Sequence, residues 1–263
     1  MNLLGQPVRH EKFGKGVIIG LGGNKVRVRF ANRQRLFQFP EAFSHYLTVK
    51  DDEIHREISK ISREHEVELA QKQLEIEKEN NNRNRIRTMR IQSKAQVAYD
   101  LSGGRIVGMD YVETGNLLSG ARQGLPRIPT SARPNSAVLL TSRGNGGEDD
   151  RKIIGIAMVD KSFWGTECTD GRIRIHPKHR LILAETDRIS YWKYFDREAF
   201  TPRWGRVPFK YFENDTMLQI LLDVSSRAAG TKQEDQAEAM YRYFCMINRI
   251  PERQPSPAEQ ISG

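Results

Sequence analysis

Gly5-Gln6-Pro7-Val8-Arg9-His10-Glu11-Lys12-Phe13-Gly14-Lys15-Gly16-Val17-Ile18-Ile19 reads as the first corner of a small, strongly bent β-barrel. Gly14 and Gly16 permit a sharp turn that a residue with a Cβ would resist. Beyond the corner, Val17, Ile19 and Leu21, then Val26, Val28 and Phe30, alternate with polar or small residues, which is the period of half-buried strands. Gly22-Gly23-Asn24 between the two runs tolerates positive φ and predicts a hairpin turn. Leu36, Phe37 and Phe39 give a further short strand that Pro40 stops. Residues 1–49 are therefore expected to form one barrel of the kind that binds rather than catalyses.

Val8-Arg9-His10, Phe13-Gly14-Lys15-Gly16-Val17 and Val26-Arg27-Val28-Arg29-Phe30 resemble the Tudor-like module at the C-terminus of UvrD/PcrA-type helicases. More distantly they are similar to the polymerase-interacting modules of CarD-type regulators. The likeness covers roughly residues 4–48 and includes no helicase motor motif. It implies an SH3/Tudor-like docking module that touches RNA polymerase or nucleic acid, with His10, Phe13 and Lys15 as the partner-docking residues. The simpler reading of His10 and the glycines is that they only build the turn.

A chain of 263 residues suits two domains and a connector, and 38% hydrophobic with 29% charged residues describes a rather polar protein. The net charge of +9 favours a polyanionic partner, nucleic acid first. No apolar run approaches the ~20 residues of a membrane span, and the N-terminus lacks the pattern of a signal peptide. Two cysteines, Cys168 and Cys245, make no disulfide framework. A cytoplasmic protein without a cofactor is expected.

Residues 50–98 are expected to be a helical connector, because Ile54 to Ala98 contains neither Gly nor Pro and Asp51-Asp52-Glu53 suits a helix start. Ile54, Ile58, Ile61, His65, Leu69 and Ile76 mark a gapped apolar stripe, which fits a homodimeric coiled coil and a solvated spacer equally. Asn80-Asn81-Asn82 is its expected weak point. Arg83, Arg85, Arg87, Arg90 and Lys94 face no carboxylate in sequence before Asp100, so this half could track a phosphate backbone. Leu101–Pro134 is rich in Gly, Ser, Pro and Arg and reads as a binding loop or a linker.

Residues 99–250 are expected to form a C-terminal α+β domain, followed by a disordered tail, 251–263. Ser136–Ser142, Ile153–Val159, Arg172–His176 and Leu181–Leu183 read as strands, and Asn214–Ala229 and Gln233–Asn248 as amphipathic helices that pack on them. All three tryptophans, Trp164, Trp192 and Trp204, fall in one aromatic-rich window with Lys161, Lys193, Arg197, Arg203, Arg206 and Lys210. Rings interleaved with cations suit an unstacked base and its phosphates. The bland alternative is that many of these rings are core.

Ala137–Ser142 and Arg151–Asp160 are weakly similar to the paired strands of PUA-superfamily barrels, the YTH, EVE and ASCH group. That resemblance implies nucleic-acid binding, an unstacked or modified base held by Trp164, Trp192 and Trp204, and Ser142 and Asp160 as hydrogen-bonding groups. Other chemistries are thinner. His176 and His179 with Cys168 lack a further zinc ligand or an orienting partner. Glu148-Asp149-Asp150 would have to hold a metal for nuclease action but reads as a turn in a Gly-rich loop. The overall expectation is a mainly β, α+β nucleic-acid-binding protein; a docking adaptor and a metal-dependent nuclease are its competitors.

Overall fold

The structure, a computed structural model, describes residues 3–101, 109–144, 147–195, 204–205 and 207–252. The fold is a β-rich α+β fold with one long helix, and the chain divides into two compact units, residues 1–84 and 85–263. Arg197, Arg203, Arg206 and the tail beyond Glu252 lie outside the described residues. Among the described residues, no helix is long and apolar enough to cross a membrane.

The first unit is built on five strands: β1 (Pro7–His10), β2 (Gly14–Gly22), β3 (Lys25–Phe30), β4 (Gln34–Gln38) and β5 (Leu47–Val49), in the antiparallel order β4-β3-β2-β1-β5. A short helix, α1 (Glu41–His45), precedes β5. The predicted hairpin is present, with Gly22 paired to Lys25 and Gly23 at φ +60°. Val8, Ile18, Val26, Val28 and Phe30 fill the core.

The two corner glycines act differently. Gly14 adopts φ +74°, where a side chain would be strained, whereas Gly16 is needed for space. A Cβ on Gly16 would stand 2.8 Å from side-chain atoms of Val28 and Phe30. Gly16→Ala is therefore expected to overpack this small core and to destabilise it by about 1–3 kcal/mol, read as a lowered denaturation midpoint.

The long helix α2 (Asp52–Thr88) starts where Asp51 Oδ1 accepts the amides of Glu53 and Ile54 at 2.9 and 3.1 Å. Ile58 and Ser62 are buried, whereas residues 66–81 are exposed throughout. Two expectations are corrected. Asn80-Asn81-Asn82 does not interrupt the helix, and the helix stops at Thr88 rather than near Ala98. Its last carbonyls are taken by the Arg249 guanidinium, 2.7 Å from the Arg87 oxygen. The next residues are claimed by the sheet: β6 (Gln96–Asp100) buries Val97 and Ala98 completely.

The second unit is organised by β6, β7 (Tyr111–Glu113), β8 (Ala137–Gly144), β9 (Gly147–Val159), β10 (Arg172–Ile182), β11 (Ile189–Ser190) and β12 (Phe209–Phe212). Their order is β12-β6-β8-β9-β10-β7, with β11 also on β9. Only β6 and β8 pair in parallel among these described strands. β9 is central, as its apolar run predicts. Ile153, Ile156 and Met158 face a core shared with α3 (Asn214–Ala228) and α4 (Glu234–Asn248), while Ile154, Ala157 and Val159 face a second core.

The described residues of the expected loop Gly144–Asp150 are strand, and Glu148, Asp149 and Asp150 belong to β9. The described part of Leu101–Pro134 is not a plain linker either. β7 joins the sheet there, and Asn116 bridges to Pro126.

Candidate nucleic-acid interface

The alternation that hides Val26, Val28 and Phe30 turns Lys25, Arg27 and Arg29 outward along β3, about 6.7 Å apart. Residues opposite one another in an antiparallel pair share a face. Arg29 lies opposite Val17 and Gln34, Arg27 opposite Gly20 and Leu36, and Lys25 opposite Gly22 and Gln38. Arg9 lies opposite Lys15 and Thr48. The outward surface thus carries five exposed cations, Arg9, Lys15, Lys25, Arg27 and Arg29, and no carboxylate. Residues 1–50 hold nine lysines and arginines against Glu11 and Glu41, which is seven of the protein's nine net positive charges. Glu41 is engaged by His65 at 3.5 Å.

The corner residues divide. His10 is only 6% exposed; its Nδ1 accepts the Lys12 amide at 3.0 Å, and its ring packs on Phe13 and Phe37 with centroids 4.5 and 5.2 Å away. It builds the turn. Phe13 is half-buried beneath the Arg35 guanidinium, 4.2 Å from the ring centroid. Lys15 is exposed and belongs to the basic face.

The arginine segment is not free of carboxylates, contrary to expectation. Arg83 lies 3.8 Å from Glu79, and Arg85 pairs with Glu167 while its guanidinium sits 4.2 Å over Trp164. Sequence spacing missed Glu167 because the partner comes from 82 residues downstream. Arg87, Arg90 and Lys94 are exposed.

The three tryptophans do not form one pocket, which corrects that expectation. Trp192 and Trp204 are 8% and 2% exposed and belong to the core beneath α3 and α4. Their indole N–H groups donate to the carbonyls of Glu148 and Val207, both at 2.7 Å. Tyr191-Trp192-Lys193 forms a 3-10 turn rather than a strand, so Tyr191 and Trp192 both turn inward. Trp164 belongs to a separate cleft with Cys168, Asp170, Arg172 and Arg174.

Ser142 and Asp160 are not brought together. Ser142 lies opposite Lys152, whereas Asp160 follows the far end of β9, about 25 Å along the strand. Asp160 accepts from the Ser162 amide and hydroxyl at 2.8 and 2.5 Å. Lys210 stands 5.2 Å over Trp204, its amine pushed down chiefly by burial.

The residues weighed for catalysis are engaged in structure. Cys168 donates to Asp170 at 3.4 Å, and its thiol is pushed up mainly by burial, away from a thiolate nucleophile. Glu148 is held by Arg151, and Asp150 lies 3.5 Å from Lys152. Among the described residues, no three His, Cys, Asp or Glu side chains converge as a metal site.

His176 and His179 lie with ring centroids 4.5 Å apart and tilted to one another, and His179 stacks on the Tyr243 ring with centroids 3.8 Å apart. Burial is the main force lowering both imidazole pKa values from the ordinary 6.5. The unfolded chain therefore binds more protons than the folded one as pH falls through about 6.5, and stability present above that point is lost below it. The melting temperature of this unit is expected to drop between about pH 7.5 and 5.5. His176→Gln with His179→Gln should flatten that segment of the profile, and an unchanged slope would count against the assignment.

Two features escaped sequence reasoning. The basic face was legible as three cations on alternate positions of one strand, in a segment almost free of acids. Arg151, 1% exposed and enclosed by partners from three strands, gave no local signal. Comparison with protein-family models, curated proteins and solved structures finds no match to this chain.

Proposed function

We propose that the protein binds nucleic acid and that the outward face of the first sheet is its principal contact. The observation that carries this reading is the concentration of charge: five cations and no carboxylate on one sheet face, within a segment holding seven of nine net charges. Lysines and arginines at strand spacing neutralise successive phosphates, and glycines at 20 and 22 leave the neighbouring strand low beside them.

The five-stranded antiparallel order is compatible with the SH3/Tudor-like likeness of residues 4–48, whose relatives touch nucleic acid or polymerase. The PUA-like likeness of the second unit supports a further, general nucleic-acid contact there. Trp192 and Trp204 are core rings and hold no base in it. Docking on a protein through the same corner is the second reading, favoured by the half-buried Phe13 and Phe37 beside exposed Tyr46.

Fluorescence anisotropy of the full chain with labelled duplex and single-stranded oligonucleotides, titrated over salt, tests the first reading. Log affinity should fall linearly with log salt, by about 0.9 per phosphate contact on duplex. A flat dependence sinks the proposal.

A further inference from the structure

The chain from Thr114 to Arg127 forms a braced finger. Thr114 is 1% exposed, and its hydroxyl sits between the carbonyl oxygens of Arg127 and Gly171 and donates there. The Thr114 amide donates to Gly171 and the Arg127 amide to Gly115, both at 2.8 Å. Further out, the Leu117 amide donates to the Leu125 carbonyl at 2.9 Å, and the Gly124 amide donates to the Leu117 carbonyl at 3.0 Å. Gly120 and Gly124, at φ +87° and +83°, turn the tip.

Residues 118–125 are exposed throughout, with Leu118 at 59% and Leu125 at 54%, and Arg122 stands between them. The finger itself, Thr114 to Arg127, holds no Asp or Glu and carries Arg122 and Arg127, while exposed Glu113 and Asp170 stand beside its base. A single exposed leucine is ordinary. Two flanking an arginine, at the end of a finger whose base is hydrogen-bonded into the unit, present an apolar edge already ordered for insertion. The positive tip, with no carboxylate on the finger itself, selects a polyanion with an apolar interior, and stacked bases inside a phosphate backbone are that chemistry.

We propose that this finger wedges Leu118 and Leu125 against unstacked bases while Arg122 contacts the flanking phosphates. The proposal rests on the nucleic-acid reading above and adds to it a site that distorts the base stack. The test uses the full chain with oligonucleotides carrying 2-aminopurine, whose fluorescence rises on unstacking. Wild type should raise that fluorescence. Leu118→Ser with Leu125→Ser should abolish the rise and weaken binding about tenfold at an unchanged salt slope. Arg122→Gln should reduce the slope by about one. An unchanged melting temperature would show that these exposed-tip variants still fold.

Tight, salt-dependent binding with no fluorescence change, or with the change retained in the leucine variant, overturns the finger and leaves the sheet-face reading standing. No oligonucleotide binding at any salt overturns both. Leucine-dependent binding to anionic phospholipid vesicles, without oligonucleotide binding, would assign the tip to a membrane surface and overturn the proposal as well.

Discussion

Arg27→Glu with Arg29→Glu is expected to weaken oligonucleotide binding about a hundredfold at low salt, because two attractive phosphate contacts become two repulsive ones. Both side chains point outward from β3 and have no role in the core, so unfolding should move by no more than about 0.5 kcal/mol. The milder pair Arg27→Ala with Arg29→Ala should lower the salt slope by about two on duplex. These readouts separate a real contact surface from a merely solvated one. Arg87→Ala with Arg90→Ala, on exposed arginines of the second unit, is the matched control and should have a smaller effect. If the control pair weakens binding as much as the β3 pair, the principal contact is not the first sheet. If neither does, the charge is solvated surface.

The fold was readable where local chemistry decides it. The hairpin at Gly22-Gly23-Asn24, the central position of Ile153–Val159 and the two closing helices all follow from period, turn residues and apolar runs. The errors arise where a distant partner decides. Absence of Gly and Pro allows a helix through Ala98 but does not require it, and the sheet claims Gln96–Asp100. Tyr191-Trp192-Lys193 has the composition of a strand, and only its tertiary setting makes it a 3-10 turn that buries both rings. The basic face needed no tertiary information beyond the hairpin register. Aromatic density between Trp164 and Phe212 marks core as readily as a site, because aromatic residues are as much core-formers as ligand platforms.

Arg151→Met should produce the largest loss of stability in the second unit. The guanidinium is 1% exposed and makes four hydrogen bonds: Nε and Nη2 donate to the Glu148 carboxylate, and Nη1 donates to Asp100 and to the Thr141 hydroxyl, both at 2.9 Å. The Trp204 ring covers it at 4.4 Å. Burial opposes the charge, but the hydrogen bonds to Glu148 and Asp100 outweigh it and raise the Arg151 pKa. This one side chain therefore ties the end of β6 to β8 and β9. Methionine fills similar space but leaves two partly buried carboxylates without their cation, a change that costs about 3–5 kcal/mol. For a unit of this size that is a fall of roughly 6–20 °C in melting temperature. Lysine cannot reproduce the forked geometry and should recover only part of the loss. Adding Asp100→Asn and Glu148→Gln to Arg151→Met should restore more, because the stranded charges are removed along with their partner. A single Arg151→Met variant melting within a few degrees of wild type would show that solvent already neutralises the pair. A triple variant no better than the single one would instead assign the loss to packing against Trp204.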